Sequence, residues 1–209
     1  MTAVEILDVF NEQMQKTGTA TREEVHAQGL WHQTFHCWIV SGSAETGWKL
    51  LFQLRHPDKE TFPDKLDTSS AGHLMTGESP EDGVRELEEE LGLAVTFAEL
   101  TYCGMHREEY RISEHYMDRE FTHVYLYACD RSLEDYQVQH SEVTGLFWIA
   151  AESFRALISG KGKAITAEGV IYPDAEQSPV IQERSVSLDD FTANTEAYYN
   201  LLFHALGYK

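Results

Sequence analysis

Cysteine is scarce in this chain of 209 residues. The three cysteines, Cys37, Cys103 and Cys129, form no CxxC pair, which argues against a disulfide framework and a cysteine-based zinc site. Each is expected to lie in a strand as a small apolar residue. Long apolar runs are also missing, so no membrane-spanning helix is expected. Residues 1–20 are polar and contain no apolar leader segment, and the expected compartment is therefore the cytoplasm.

Basic residues are far fewer than acidic ones. The chain has 16 lysines and arginines against 35 aspartates and glutamates, which gives a formal net charge of −19. Nucleic-acid backbones require basic surfaces, so this balance argues against a nucleic-acid polymer as the main partner. A phosphorylated small molecule would need a local basic pocket or metal ions to offset the acidic field.

The remaining composition is that of a globular protein, with 42% hydrophobic and 24% charged residues. Hydrophobic alternation and turn signals predict strands at 4–10, 31–41, 48–55, 120–129 and 142–149, and an extended segment at 67–74. Helical periodicity predicts helices at 80–91, 151–158 and 188–206. Strands on both sides of an embedded helix, with another helix at the end, predict an α/β (α+β) class with a mixed sheet between helices.

Local details accompany these elements. The strand at 31–41 should place Phe35, Cys37 and Ile39 on one face and the intervening residues on the other. Ser79 is the expected cap of the helix at 80–91, with Pro80 in its first turn. The remaining polar stretches, which are expected to be turns or loops, are 11–19, 56–66 and 106–119.

The helix at 80–91 carries an unusual cluster of carboxylates. Glu86, Glu89 and Glu90 stand at i, i+3 and i+4 on one face, while Val84, Leu87 and Leu91 form an apolar face that can be buried. Like charges at this spacing cost a few tenths of a kcal/mol per pair, and a divalent cation would remove that cost. Ligands that are all oxygen indicate a hard ion such as Mg²⁺ or Mn²⁺. The alternative from the helix alone is a solvated acidic face.

The residues around this helix extend the pattern. Gly72 is followed by five residues and Glu78, and 85–93 reads Arg-Glu-Leu-x-Glu-Glu-x-Gly-Leu. This stretch resembles the Nudix box, the signature of the Nudix hydrolases. It departs from that signature in one place, because six residues rather than seven separate Glu78 from Arg85. The missing residue lies where the loop enters the helix, so it affects the position of Glu78 and leaves the helix face intact.

The resemblance implies a fold, a cofactor and a set of roles. The fold is the Nudix αβα sandwich, spanning residues 1–158, with residues 159–209 as an accessory segment packed on the same domain. Mg²⁺, or Mn²⁺, would be bound by Glu86, Glu89, Glu90 and the backbone carbonyl of Gly72. Glu78 would support the metal shell. Arg85 would orient the glutamates through charge-assisted hydrogen bonds. Homodimers are common in that family.

Basic residues and histidines outside the box supply further candidates. Arg55, at the end of a strand, and Lys65, just before the box, are candidate phosphate-binding residues, although both could be surface cations. His73, next to Gly72, is a candidate pocket residue or base. His32 and His36 could line the pocket, but histidines at such positions are more often ordinary pleat residues of a strand.

A narrower resemblance covers residues 32–73. The run His-Gln-Thr-Phe-His-x-Trp-Ile and the segment 50–73 are similar to Nudix proteins related to type I isopentenyl diphosphate isomerase. That isomerase uses a cysteine in the stretch that here reads Asp-Thr-Ser-Ser-Ala-Gly-His at 67–73. Serine is a much weaker acid than a thiol, so the missing cysteine argues against isomerisation.

Three functions therefore remain open. The leading one is metal-dependent hydrolysis of a diphosphate linkage in a small organic or nucleoside diphosphate derivative. The alternatives are proton transfer of the isopentenyl diphosphate isomerase type and a non-catalytic Nudix-like binding module.

Overall fold

The computed structural model describes residues 4–173 and 177–209. The strands are β1 Ile6–Phe10, β2 Lys16–Thr21, β3 His32–Ser43, β4 Gly47–Arg55, β5 Leu66–Asp67, β6 Ser70–His73, β7 Thr101–Ser113, β8 Tyr116–Ala128, β9 Val143–Ala150, β10 Ile165–Ile171 and β11 Val180–Val186. The α-helices are α1 Arg22–Gln28, α2 Arg85–Leu91, α3 Ala151–Ile158 and α4 Glu196–Ala205.

One mixed sheet of nine strands forms the centre of the molecule. Its order is β11-β10-β9-β4-β3-β8-β7, with β5 paired to β4 and β6 paired to β3. The pairing of β3 with β8 is parallel, and the other pairings in this sheet are antiparallel. The sequence expectation of a mixed sheet in an α+β fold is confirmed.

The two faces of the sheet bury different helices. Phe35, Cys37 and Ile39 of β3 belong to the same core cluster as Leu87 and Leu91 of α2. The alternate residues of β3 belong to the opposite cluster, which includes Trp38 and side chains of α3 and α4. The predicted alternation along β3 is therefore correct, and helices cover both faces as in an αβα sandwich.

A smaller unit formed by β1, β2 and α1 closes one end of the sheet. Leu7, Val9 and Val25 bury their side chains together. Helix α1 begins at a capping box made by Thr21 and Glu24. The hairpin corrects the sequence expectation for residues 11–19, because Lys16 to Thr19 belong to β2 rather than to a turn.

The polar stretch 106–119 was expected to be a loop, and this expectation is wrong. Most of it belongs to the long hairpin of β7 and β8, which turns at Glu114 and His115. Strand β7 is an edge strand of the sheet, and much of it faces solvent. Charged residues are common on such edges, so this segment lacks the alternation of apolar and polar residues by which a strand is predicted.

Two helices begin later than expected. Helix α2 starts at Arg85, after a short 3₁₀ turn at Asp82–Val84. Ser79 does not cap it: its hydroxyl donates to Asp82 Oδ2 at 2.8 Å and closes a separate turn. Helix α4 starts at Glu196 with Thr195 as its cap, so most of the predicted first half of 188–206 lies outside it.

The last part of the chain adds to the same sheet and core. Strands β10 and β11 extend the sheet beyond β9, and Tyr198, Leu202 and Phe203 of α4 enter the core cluster that also holds Phe154 of α3. Within residues 4–173 and 177–209, no helix is long and apolar enough to cross a membrane.

Candidate functional site

A cavity of about 640 Å³ opens between α1, α2, β8 and the C-terminal segment. Its wall is rich in charge and includes both acidic and basic side chains. The acidic residues are Glu5, Asp67, Glu86, Glu89, Glu90, Glu108, Asp118, Glu120 and Glu142. The basic residues are Arg22, Arg55, Lys59 and Arg85. Volumes of this size suit a small-molecule ligand.

Helix α2 presents its carboxylates to this cavity because its other face is anchored in the core. Leu87 and Leu91 are fully buried. Gly92 ends the helix in the left-handed conformation at φ 64°, and its N–H bonds to the carbonyls of the last turn. Glu86 and Glu90 are buried toward the cavity, whereas the Glu89 side chain is 53% exposed.

Arg85 connects the carboxylates of this region. Its Nε and Nη2 donate to the two oxygens of Glu78 at 2.9 and 3.1 Å. Nη1 donates to Glu86 at 2.6 Å and to Glu89 at 3.1 Å, and Nη2 also donates to the carbonyl of His73 at 3.0 Å. The one-residue shortening after Glu78 therefore leaves its contact with Arg85 intact.

Gly72 lies directly against Glu86. A Cβ atom at position 72 would stand 2.1 Å from Cδ of Glu86, closer than two carbon atoms can approach. Only glycine allows this carboxylate to lie along the backbone of β6. On the preceding residue, the N–H of Ala71 donates to Glu90 Oε2 at 3.1 Å.

Burial makes two of these carboxylates hard to ionise without a cation. Burial raises the pKa of Glu86 to about 7, although the neighbouring Arg85 opposes the rise. Burial and the charge of Glu86 raise the pKa of Glu90 to about 8. A group of carboxylates that resists ionisation by itself is a favourable environment for a bound cation.

A second cluster lies next to the box and was not expected from the sequence. One ligand atom from each of His26, His32, His73 and Glu120 lies within 4.8 Å of the others. The box carboxylates form no group this tight in the described part of the chain. The four residues come from α1, β3, β6 and β8, and three of them line the cavity.

Two of these histidines have a defined tautomer. His26 Nδ1 donates to the carbonyl of Arg22 at 2.7 Å, and His32 Nδ1 donates to that of Leu30 at 3.0 Å. In its neutral form each ring therefore carries the lone pair on Nε2. His26 Nε2 lies 3.3 Å from His73 Nε2. His32 Nε2 is buried and faces Glu120, and although burial opposes a charge on His32, this carboxylate raises the pKa of the ring. Metal-binding histidines typically have this arrangement.

Acidic groups surround the histidines. Glu120 Oε1 lies 3.5 Å from His32 Nε2, and Asp118 Oδ1 lies 3.3 Å from His26 Nε2. Burial opposes ionisation of Glu120, but the hydrogen bond and charge of His32 hold its pKa well below the usual range. Burial and the charge of Glu120 raise the pKa of Asp118 to about 7.

Of the two cations predicted to bind phosphate, one lines this cavity and the other does not. Arg55 lies in the wall, held by Asp67 Oδ2 at 2.8 Å and by the carbonyl of Thr61 at 2.9 Å. Lys65 lines a separate cavity, where its ammonium donates to the carbonyl of Asp189. Lys59, which the sequence analysis did not select, lies in the first cavity and pairs with Glu142.

The histidines considered from the sequence have different surroundings. His36 lines the cavity, and its Nδ1 lies 2.8 Å from the hydroxyl of Tyr198. Burial lowers the pKa of His36 and, together with the charge of His32, holds that of His73 well below its usual range. Both side chains are therefore neutral at physiological pH.

Both clusters fit a divalent cation by their own chemistry. The box offers oxygen ligands, with the missing Cβ of Gly72 allowing Glu86 to reach the backbone. The second cluster offers imidazole nitrogens and a carboxylate. Hard cations suit the first set, and borderline transition-metal ions suit the second.

The sequence comparisons with known proteins all indicate one protein family. Residues 30–168 match the sequence model of the NUDIX domain. An uncharacterised Nudix hydrolase of Clostridium acetobutylicum is 41% identical over 202 residues, which cover 97% of each chain. Nudix hydrolase 3 of Arabidopsis thaliana is 32% identical over 200 residues, which cover 93% of this chain and 25% of that protein.

Solved structures show a similar fold. The crystal structure of DR0079 from Deinococcus radiodurans aligns with a TM-score of 0.54 at 22% identity, over 75% of this chain and 90% of that one. A MutT/nudix family protein from Enterococcus faecalis aligns with a TM-score of 0.52 at 14% identity, over 84% of this chain and 61% of that one.

Proposed function

Because the chain belongs to the Nudix hydrolase family, we propose that it hydrolyses a diphosphate linkage in a small organic or nucleoside diphosphate derivative with the help of divalent cations. The observation that carries the proposal is the cavity in which the carboxylates of α2 face Arg55 and Lys59. Carboxylates serve to bind cations, and the basic side chains offer contacts to phosphate oxygens.

The residues of the Nudix box would have different roles. Glu86, Glu89, Glu90 and the carbonyl of Gly72 would hold Mg²⁺ or Mn²⁺, which when bound supplies charge neutralisation and an activated water. Arg85 keeps Glu78, Glu86 and Glu89 in fixed positions through the hydrogen bonds described above. Glu78 is itself fixed, because its Oε2 also accepts from the N–H of Met75 at 2.8 Å.

The histidine cluster would hold a second cation of a different kind. The backbone contacts of Nδ1 orient His26 and His32 so that Nε2 is the atom left to bind a metal ion, and Glu120 supplies a carboxylate. Nitrogen-rich sites favour Zn²⁺, Ni²⁺ or Fe²⁺ over Mg²⁺. His73, which the sequence analysis assigned to the substrate or to proton transfer, becomes a candidate ligand here.

The isomerase alternative has less support from the cavity. In the described residues no cysteine lines the cavity. Burial raises the pKa of Cys37, so its thiol is a poor proton-transfer group.

The proposal is tested by a diphosphate panel with matched glutamate variants. The wild-type protein should release phosphate or a monophosphate from at least one nucleoside or alkyl diphosphate when Mg²⁺ or Mn²⁺ is added. Glu89→Gln should lower kcat by at least about a hundredfold. Glu88→Gln is the control, because Glu88 is an exposed neighbour on the same helix that lies outside the cavity lining.

Three other outcomes separate the alternatives. Equal product release by Glu89→Gln and the wild type would overturn the assignment of the box. Deuterium uptake from heavy water into isopentenyl diphosphate, without phosphate release, would favour the isomerase. Saturable binding of a diphosphate with no turnover at any metal concentration would favour a binding module.

A further inference from the structure

The terminal helix α4 reaches the cavity wall through one buried tyrosine. Tyr198 is 1% exposed. Its hydroxyl lies 2.8 Å from His36 Nδ1, 3.0 Å from Trp38 Nε1 and 3.0 Å from Thr68 Oγ1. Tyr198 stands outside the residues that match the NUDIX domain, so the C-terminal segment supplies a contact to a cavity residue.

The hydrogen bonds of this hydroxyl can be counted. A phenol donates one hydrogen bond and accepts up to two. The indole N–H of Trp38 can only donate, so it occupies one acceptor position of Tyr198. Tyr198 must therefore donate to one of His36 and Thr68 and accept from the other.

Thr68 decides between the two arrangements. It is fully buried, and in the part of the chain that the structure describes its hydroxyl has Tyr198 as its hydrogen-bond partner. If Tyr198 donated to Thr68, the Thr68 proton would be buried without an acceptor, which is unfavourable because the hydroxyl loses its hydrogen bond to water. If Thr68 donates instead, both hydroxyl hydrogens and the indole N–H of Trp38 are paired, and Tyr198 donates to His36 Nδ1.

This arrangement leaves the His36 proton on Nε2. In residues 4–173 and 177–209, Nε2 has no hydrogen-bond partner, and it is not among the unpaired atoms that are shut away from solvent. The ring lines the cavity. The Nε2–H group is therefore available to a molecule in the cavity.

We propose that Tyr198 fixes His36 in the Nε2–H tautomer and that His36 donates a hydrogen bond from Nε2 to a phosphate oxygen of the substrate. The contact with substrate rests on the proposed function, whereas the tautomer does not. His36 is then a substrate-contacting residue beside Arg55 and Lys59, and Tyr198 is a positioning residue.

The tautomer is measured by NMR of ¹⁵N-labelled histidine side chains in the full chain, with His36→Gln to assign the signal. We expect the Nε2–H pattern for His36 in the wild type. An Nδ1–H pattern would overturn the proposal, and this measurement needs no folded Tyr198 variant. Tyr198→Phe removes the donor to Nδ1 and should shift His36 toward a mixture of tautomers. Tyr208→Phe, which removes a hydroxyl near the same end of the chain, should leave the pattern unchanged.

The substrate contact is measured with inorganic pyrophosphate and Mg²⁺ as the probe. Pyrophosphate should shift the His36 Nε2 signal in the wild type. His36→Gln places an amide N–H near the Nε2 position and should keep most of kcat/KM for the best diphosphate of the panel. His36→Asn reaches only the Nδ1 position and should lose roughly ten- to hundredfold, as expected for one hydrogen bond to a charged group.

The failures of the two proposals can be told apart. If the wild type hydrolyses no diphosphate, the proposed function fails, and the tautomer and the pyrophosphate shift still decide the proposal on His36. If diphosphates are hydrolysed, equal kcat/KM for His36→Asn and the wild type, with an unshifted His36 signal, would overturn the contact alone.

Discussion

The Nε2 atoms of His26 and His73 lie 3.3 Å apart in the wall of the cavity. Since His26 Nδ1 donates to the carbonyl of Arg22, its Nε2 presents a lone pair toward His73. One proton or one cation must lie between the two rings to relieve the repulsion. In the metal-free protein, neutral His73 can supply that proton as Nε2–H and donate it to His26. Burial and the charge of His32 lower the pKa of His26 to about 4, so its Nε2 stays unprotonated near pH 7 and can bind a metal ion in place of that hydrogen bond.

The first prediction concerns metal content. Wild-type protein purified without chelator and incubated with Zn²⁺ or Ni²⁺ should retain a stoichiometric amount after desalting, measured by elemental analysis. His26→Ala should lower the retained metal, because it removes a ligand from the four-residue cluster. The control is His204→Ala, which changes an exposed histidine of α4. Equal retention by His26→Ala and His204→Ala would contradict the histidine site.

A second prediction concerns Arg85. Replacing it with methionine leaves Glu78 and Glu86 without their shared cation, and we expect a loss of about 1–3 kcal/mol in the free energy of unfolding. The carboxylates then repel one another, so added Mg²⁺ should raise the melting temperature of the variant more than that of the wild type. Thermal unfolding with and without Mg²⁺ measures both effects.

The control for Arg85 is Arg111→Met, which changes an exposed arginine of β7. It should change neither the stability without metal nor the response to Mg²⁺. If Arg85→Met showed the same response to Mg²⁺ as the wild type, the role of Arg85 in offsetting the repulsion between the carboxylates would be refuted.

The secondary structure was predictable where burial imposes a regular hydrophobic pattern on an element. Strand β3 alternates between two core clusters, so its pattern is strong, and α3 was placed at its observed residues. The start of α2 was not predictable from caps, because Ser79 and Asp82 bond to each other instead of to the helix. Strand β7 was not predicted, because an edge strand exposed to solvent does not require alternating apolar residues.

The candidate site was only half predictable for a related reason. The box residues are close in sequence, so their spacing alone indicated a cluster on α2. The second cluster joins His26, His32, His73 and Glu120 from four separate elements, and the sequence contains no spacing motif for it. Only the parallel pairing of β3 and β8 brings His32 opposite Glu120.

A third prediction uses Gly72. A methyl group there would collide with the Glu86 carboxylate at 2.1 Å, so Gly72→Ala should displace Glu86 and lower kcat by at least about tenfold. Gly162→Ala is the matched control, because a Cβ at Gly162 meets nothing within 4 Å. Steady-state kinetics and melting temperatures of both variants are compared. Full activity of Gly72→Ala would show that the position of Glu86 is not needed.

A fourth prediction separates two lysines of the same loop region. Lys59 lines the cavity, whereas Lys65 lines the neighbouring one. Lys59→Ala should raise KM for a diphosphate substrate about tenfold through the loss of a phosphate contact, while Lys65→Ala should leave KM unchanged. A larger effect of Lys65→Ala on KM would move the phosphate site toward the second cavity.

A fifth prediction concerns pH in the absence of divalent cations. The pKa of Glu90 is raised to about 8 in the folded state, above its usual value near 4.3 in an unfolded chain. The folded state therefore binds more protons than the unfolded state between these values, and Glu90 contributes stability at low pH that is lost as pH rises toward 8.

Neutral buried histidines act in the opposite direction at lower pH, so the effect of Glu90 is isolated by difference. Subtracting the unfolding free energy of Glu90→Gln from that of the wild type should give a value that falls from pH 5 to pH 8 in chelator. Added Mg²⁺ should remove most of that fall, because a cation favours the ionised carboxylate. The same subtraction with Glu88→Gln, an exposed residue of the same helix, should be flat, and a flat difference for Glu90→Gln would contradict the raised pKa.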